Sequence, residues 1–186
     1  MVWGDMIIDL FINPLKTACF TGHRPEKMPF DTGERAFLDM LTSVIYLRAF
    51  EAVKAGYDTF FCGMQRGIDV WAGKQVLRLK AEYPSVRLIC VSPFEREIES
   101  RRGADRFDYT ELRESSDEFV VLQKDYSPLC YQNRNRFMVD NSSLIIGAVA
   151  DRKSGTGQTL AYARKKGRRI EEIDLVKFSE QYDLHR

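Results

Sequence analysis

The chain has 186 residues, 44% hydrophobic and 30% charged, and 28 Lys and Arg against 27 Asp and Glu leave a net charge of +1. That length suits one domain whose core needs neither disulfides nor a structural metal, and the balanced charge gives no overall field favouring nucleic acid or a membrane surface. The four cysteines, Cys19, Cys62, Cys90 and Cys130, are scattered without a paired spacing or a neighbouring histidine. They supply no zinc set, so no metal is assigned; three of them lie in apolar runs and read as buried thiols, which points to a reducing, cytoplasmic compartment.

Residues 1–16 are apolar but lack a basic start, and Asp5 and Asp9 interrupt them. They are read as an N-terminal extension rather than a signal or membrane anchor, leaving one domain over residues 17–186. A first strand is expected from Leu15 to Thr21, stopped by Gly22 and Pro25. Apolar residues at threes and fours between Gly33 and Gly56 predict an amphipathic helix closed by glycine. Thr59 to Cys62 is a second strand, and a helix follows from about Ile68 to Glu82, where Pro84 bars its continuation. Val86 to Val91 is a third strand that runs into the loop Ser92 to Glu95. The charged region from Arg96 to Ser116 carries a helix around Ala104 to Arg113. Glu118 to Leu122 is a fourth strand, Tyr131 to Asn141 a helix, and Ser143 to Val149 a fifth strand buried on both faces. A second glycine loop, Asp151 to Thr159, leads into a helix ending at Gly167; Arg169 to Ile173 is a last strand, and Asp174 to Arg186 a tail or terminal helix.

Strands alternating with helices over the whole length imply a single Rossmann-like α/β domain, a doubly wound and mostly parallel sheet with helices on both faces. Ligands of such sheets lie outside the carboxyl ends of the strands. The loops at Gly22, Gly63, Ser92 and Gly155 all follow strands and so converge on one edge.

Two of these loops have the order strand, glycines, helix, which gathers unpaired N–H groups and a positive dipole end. In the first, Gly63 and Gly67 let backbone approach an anion beside Arg66, or simply make a tight turn; Asp69 either caps the helix or meets a ribose hydroxyl. In the second, Gly155, Thr156 and Gly157 repeat the pattern with Thr156 as N-cap. No nucleophile stands at a recognisable spacing from a base. The weak catalytic candidates are His23, which can titrate near neutrality or merely hold its loop, Asp69 and Glu95.

Three segments, Thr21-Gly-His-Arg-Pro25, Cys62-Gly-Met-Gln-Arg-Gly-Ile-Asp69 and Arg134-Asn-Arg-Phe-Met-Val-Asp140, together resemble the YpsA-like family of the SLOG superfamily. A fourth, Ser154-Gly-Thr156, stands where that family has Gly-Gly-Thr, and the match spans about Thr17 to Asp174. The resemblance implies a Rossmann-like nucleotide-binding domain, with DprA and the LOG phosphoribohydrolases as relatives. It places Arg134 and Asn135 on the pocket, with Thr21, Gly22, Arg24, Gly63, Arg66, Gly67, Asp69, Ser154, Gly155, Thr156 and Gly157 as its other ligand-binding residues. LOG enzymes carry a glutamate shortly after the second loop, whereas here Gln158 and Thr159 follow, and an amide cannot exchange a proton as a carboxyl does.

The expected function is binding of a nucleotide or nucleotide-derived ligand of the NAD or ADP-ribose kind, as a sensor or regulatory module. The alternatives are a nucleotide hydrolase acting on an N-glycosidic or phosphate bond, and a DprA-like binder of single-stranded DNA. The basic run Lys165 to Arg169 and the cluster Arg96, Arg101, Arg102 and Arg106 read as solvated surface, which sets nucleic acid behind a small nucleotide as partner. No cofactor is assigned beyond a bound nucleotide, no membrane partner is expected, and a homo-oligomer is left open.

Overall fold

A computed structural model describes residues 12–183. Most of the N-terminal extension expected at residues 1–16, and the last three residues, lie outside it. Six strands, β1 (Thr17–Gly22), β2 (Thr59–Cys62), β3 (Arg87–Ser92), β4 (Glu118–Val121), β5 (Leu144–Val149) and β6 (Arg169–Asp174), form one wholly parallel sheet in the order β4-β3-β2-β1-β5-β6. Six α-helices connect or follow them: α1 (Arg35–Lys54), α2 (Ile68–Glu82), α3 (Gly103–Ser115), α4 (Cys130–Asp140), α5 (Gly155–Lys165) and α6 (Leu175–Asp183).

Alternate residues of each strand feed two cores. Ala18, Phe20, Phe60, Cys62, Leu88 and Cys90 pack with α1, α2 and α3, and Leu175 of α6 joins them. Cys19, Phe61, Ile89 and Val91 point the other way, onto Met138 and Val139 of α4 and Leu160 and Ala163 of α5. This two-sided burial explains why the strands read as continuous apolar runs, most fully in β5, where all six residues are buried. The units β1 to β4 step outward in one direction; α4 then returns the chain to β5 on the other flank of β1, with its helices on the opposite face. The order therefore reverses between β1 and β5, and the loops leaving those two strands part there to open a crevice.

The element boundaries correct the sequence reading in a few places. Leu15 is not in β1: Pro14–Lys16 form a 3-10 turn, capped by Asn13 Oδ1 accepting the Leu15 N–H at 3.1 Å, because Pro14 has no N–H for a sheet ladder. The loops after β1 and β3 contain short 3-10 turns at Pro25–Lys27 and Glu97–Ser100. Cys130 begins α4, and all four cysteines are buried and free. Among the described residues no helix is long and apolar enough to cross a membrane.

Candidate functional site

The crevice at the switch point is a cleft of about 280 Å³. Its walls come from the end of β1 and the loop after it (Thr21 to Arg24, with Lys27), from Gln65 and Asp69 beyond β2, from Tyr131, Arg134 and Asn135 of α4, and from Ser154, Gly155 and Thr156 at the start of α5. Residues at opposite ends of the sequence are thus brought together, as the strand order requires.

The first glycine turn lies behind the cleft wall. A Cβ on Gly63 would collide with Arg134 Nη1 and lie 2.6 Å from both Arg134 Cζ and Asp69 Oδ2. Gly67 has φ +89°, and a Cβ there would lie 2.5 Å from the His23 carbonyl oxygen. Both glycines therefore serve close packing of chain on chain, and neither lines the cleft. Arg66 is exposed and paired with Glu26 at 3.0 Å, away from the lining.

Arg134 is 3% exposed, and its guanidinium is fixed from two sides. Nη1 donates to the Gly63 carbonyl and Nε donates to Asn135 Oδ1 at 2.9 Å. Asn135 Nδ2 donates to Thr159 Oγ1 at 3.0 Å, and Thr159 donates to the Gly155 carbonyl at 2.9 Å. One chain of hydrogen bonds therefore joins the first glycine turn, through α4, to the second. Asp69 Oδ2 lies 3.9 Å from Arg134 Nη1. Burial pushes the Asp69 carboxyl up, while Arg134 and the Gln65 backbone N–H oppose the shift. Asp69 is not the helix cap, because Gly67 occupies that position and Asp69 sits one residue inside α2.

At the second loop the N-cap of α5 is Ser154, not Thr156. The Ser154 hydroxyl accepts the Gly157 N–H at 3.1 Å and donates to the Asp151 carbonyl at 2.5 Å. Gly155 and Thr156 then occupy the first turn, where no earlier carbonyl exists to take their amides. Gly157 is packed against the backbone of Arg152 and faces away from the cleft.

His23 is 2% exposed and ties three loops together. Its Nε2 accepts the Asp151 N–H at 3.1 Å, and its carbonyl accepts the Ile68 N–H at 3.3 Å. An accepting Nε2 requires the neutral ring with its proton on Nδ1. Burial holds the imidazole below its ordinary range, with Lys27 acting in the same direction and Asp151 opposing.

Two hydroxyls and two cations of the lining are unspent. Thr21 and Thr156 are 5% and 7% exposed, line the cleft, and have side-chain hydroxyls that make no hydrogen bond to the described residues. Arg24 and Lys27 are exposed at the rim and form no ion pair with any described carboxylate. With Arg134 they give the lining three cations against one carboxylate, Asp69, so the cleft favours an anion.

Glu95 is exposed and outside the cleft. The buried carboxylate of that loop is Glu97, which takes Gln65 Nε2 at 2.8 Å, Arg101 Nη2 at 2.7 Å and the Ser92 hydroxyl at 2.9 Å. Arg101 and Arg96 of the basic cluster are spent on Glu97, Asp105 and Glu99. Sequence reasoning missed Lys27, Gln65 and Tyr131 as lining residues. The available signals were the spacing of Tyr131 and Arg134, three apart on one helix face, and Lys27 in the same turn as Arg24. Among the described residues no group of three His, Cys, Asp or Glu can hold a metal ion.

Residues 18–181 match the sequence model of the family YpsA, described as the YspA SLOG family. UPF0398 proteins of Bacillus cereus (strain B4264) and Bacillus thuringiensis (strain Al Hakam) are each 21% identical over 174 residues, spanning 91% of this chain and 95% of the relative. Among solved structures, DNA processing protein A (DprA) from Helicobacter pylori superposes with a TM-score of 0.59 at 19% identity, over 91% of this chain and 73% of that one. DprA from Streptococcus pneumoniae gives 0.56 at 16% identity, over 85% of this chain and 50% of that one, so this chain matches about half of it. At these identities the likeness to DprA is one of fold.

Proposed function

The chain belongs to the YspA SLOG family, and we propose that its cleft binds a nucleotide or nucleotide-derived ligand through the phosphate. One observation carries this reading: Thr21 and Thr156 present unbonded hydroxyls beside the free first-turn amides of α5, in a cleft that Arg24, Lys27 and Arg134 also line. Neither hydroxyl oxygen is sealed from solvent, so both are open to a ligand in the cleft, and backbone amides at a helix start suit phosphate oxygens. No sensor or regulatory partner is needed for this step, so the regulatory role is a proposal resting on binding alone.

Isothermal titration with AMP, ADP, NAD and ADP-ribose tests the reading. At least one should bind, and Thr156→Ala and Arg24→Ala should each weaken it. Silence across the set, or affinity indifferent to both substitutions, rejects it.

Single-stranded DNA is a second reading of equal standing. DprA from Helicobacter pylori has a single-stranded DNA binding mode. In this chain Tyr131 packs edge to face on Phe94 at 6.4 Å and Phe94 on Tyr126 at 5.7 Å, and Tyr126 is 63% exposed. Cations beside an aromatic run are what a single strand requires. Of the charge clusters, Arg96, Arg101, Lys166 and Arg169 are paired with carboxylates elsewhere, and the cleft's own cations are the relevant ones. Gel retardation of a labelled oligonucleotide at physiological salt decides it, with Arg24→Ala and Tyr126→Ala expected to release the strand. Hydrolysis of an N-glycosidic or phosphate bond is less favoured, because the lining pairs no nucleophile with a base: Asp69 faces Arg134 and His23 Nε2 is taken by the Asp151 N–H.

A further inference from the structure

A second hollow, of about 180 Å³, lies between α4 and α5 and shares Tyr131, Asn135 and Gly155 with the cleft. Its other walls include Gln132, Gln158 and Tyr162. Gly155 forms part of the wall of both spaces. The other described glycines have an internal reason, since each has a positive φ or holds a place where a Cβ would press on other atoms of the chain. Gly155 has neither: its φ is ordinary, and a Cβ there would meet nothing within 4 Å. Neither a left-handed backbone nor a close approach of other atoms calls for glycine at this first helical position, so the packing of the chain gives no ground for it. A Cβ there would project into open space at a residue that lines both hollows.

We propose that the ligand of the cleft crosses Gly155, with its phosphate at the start of α5 and a planar heterocyclic base in the α4–α5 hollow. The ligand is then a nucleotide unit, not a bare anion; this deepens the reading of the cleft and depends on it. Each hollow alone falls below the roughly 300 Å³ at which small-molecule sites begin, and joined they exceed it. Both aromatic walls are held in place without a ligand: the Tyr162 hydroxyl lies 3.0 Å from each Asp140 carboxylate oxygen, and Tyr131 packs on Phe94. The Tyr162 ring already carries Arg136 at 5.5 Å and Lys166 at 5.3 Å, so Tyr131 is the ring that offers a stacking face at little ordering cost; the exposed Gln132 amide carries both donors and acceptors for a base edge, and Gln158, whose Nε2 donates to the Lys153 carbonyl at 3.4 Å, adds its carbonyl oxygen.

The test is isothermal titration of wild type and Gly155→Ala with AMP and with ribose 5-phosphate, alongside thermal melts. Wild type should prefer AMP by about tenfold or more, a modest return for stacking one base. Gly155→Ala should melt no lower than wild type and lose most of that preference. Gln132→Ala with Gln158→Ala, both at exposed positions, should reduce the preference as well. Equal wild-type affinity for the two probes, or an undiminished AMP preference in Gly155→Ala, overturns the base subsite while leaving the phosphate site standing. Failure of both probes to bind overturns both. Oligodeoxyadenylate separates the two sources of a base: where Gly155→Ala diminishes the AMP preference, tighter wild-type binding of the strand than of AMP assigns the hollow to a nucleotide within a strand, and weaker binding assigns it to a free nucleotide.

Discussion

The guanidinium of Arg134 lies against the backbone of Gly63, in space that any other residue at 63 would fill with its Cβ. The Gly63 carbonyl accepts from Arg134 Nη1, so the glycine both admits the arginine and holds it. Gly63→Ala should therefore displace Arg134, destabilise the protein by about 1–3 kcal/mol in urea denaturation through overpacking, and weaken ligand binding with it. Gly155→Ala, with open space beyond, should show no such loss. Equal stability effects at the two positions would contradict these assignments.

Ser154 and Thr156 offer a sharper contrast, because they are two residues apart and have opposite duties. Ser154 caps α5 through the Gly157 N–H, so Ser154→Ala should cost about 0.5–2 kcal/mol of stability. The Thr156 hydroxyl bonds to no described residue, so Thr156→Ala should cost less stability than Ser154→Ala while losing nucleotide affinity. Chemical denaturation and titration on the same preparations separate the two.

The fold was legible because the strands are apolar on both faces and most helix boundaries carry glycine or proline. The sheet edge that holds the site followed from topology alone. What could not be read was which way each loop faces. Gly63 and Gly155 look alike as glycines between a strand and a helix, yet one is filled by Arg134, 71 residues away, and the other is open. Only the packing of α4 distinguishes them. The N-cap was misplaced for a related reason: Ser154 and Thr156 are both good caps, and the choice depended on how the chain turns at Asp151, whose amide is tied to His23. Glu97 escaped notice because its partners Gln65 and Ser92 lie in other segments.

His23 gives the protein an acid-sensitive joint. The folded-state imidazole titrates below its ordinary value of about 6.5, so the unfolded chain binds a proton more readily, and stability is present above that pH and is lost as pH falls through the folded value. One proton limits the slope to about 1.4 kcal/mol per pH unit. Protonation also removes the acceptor of the Asp151 N–H, loosening the loop that starts α5. His23→Gln keeps an acceptor near the Nε2 position without titrating, so its melting temperature should fall less than that of wild type between about pH 7.5 and pH 5.5, a window that brackets the ordinary imidazole value. Parallel curves for the two proteins would remove His23 from the account.

Arg134 and Asp69 should prove coupled even though they do not touch. At 3.9 Å two unit charges in partly buried surroundings attract by about 4 kcal/mol at an effective dielectric of 20, before desolvation is counted. Burial opposes the Asp69 charge, and Arg134 is the largest influence that sustains it. Removing the arginine alone takes the nearest countercharge from a buried carboxylate and leaves only Arg101 and Arg24 at longer range, so Arg134→Met should cost about 3–5 kcal/mol. Asp69→Asn should cost less, since an amide needs no countercharge and can still accept the Gln65 N–H. In the double variant the stranded charge is gone, and the loss should be smaller than the two single losses added, by about 1 kcal/mol or more. Strict additivity would mean that Arg134 is held by Gly63 and Asn135 alone, and that the charge on Asp69 has no part in keeping its guanidinium turned toward the cleft.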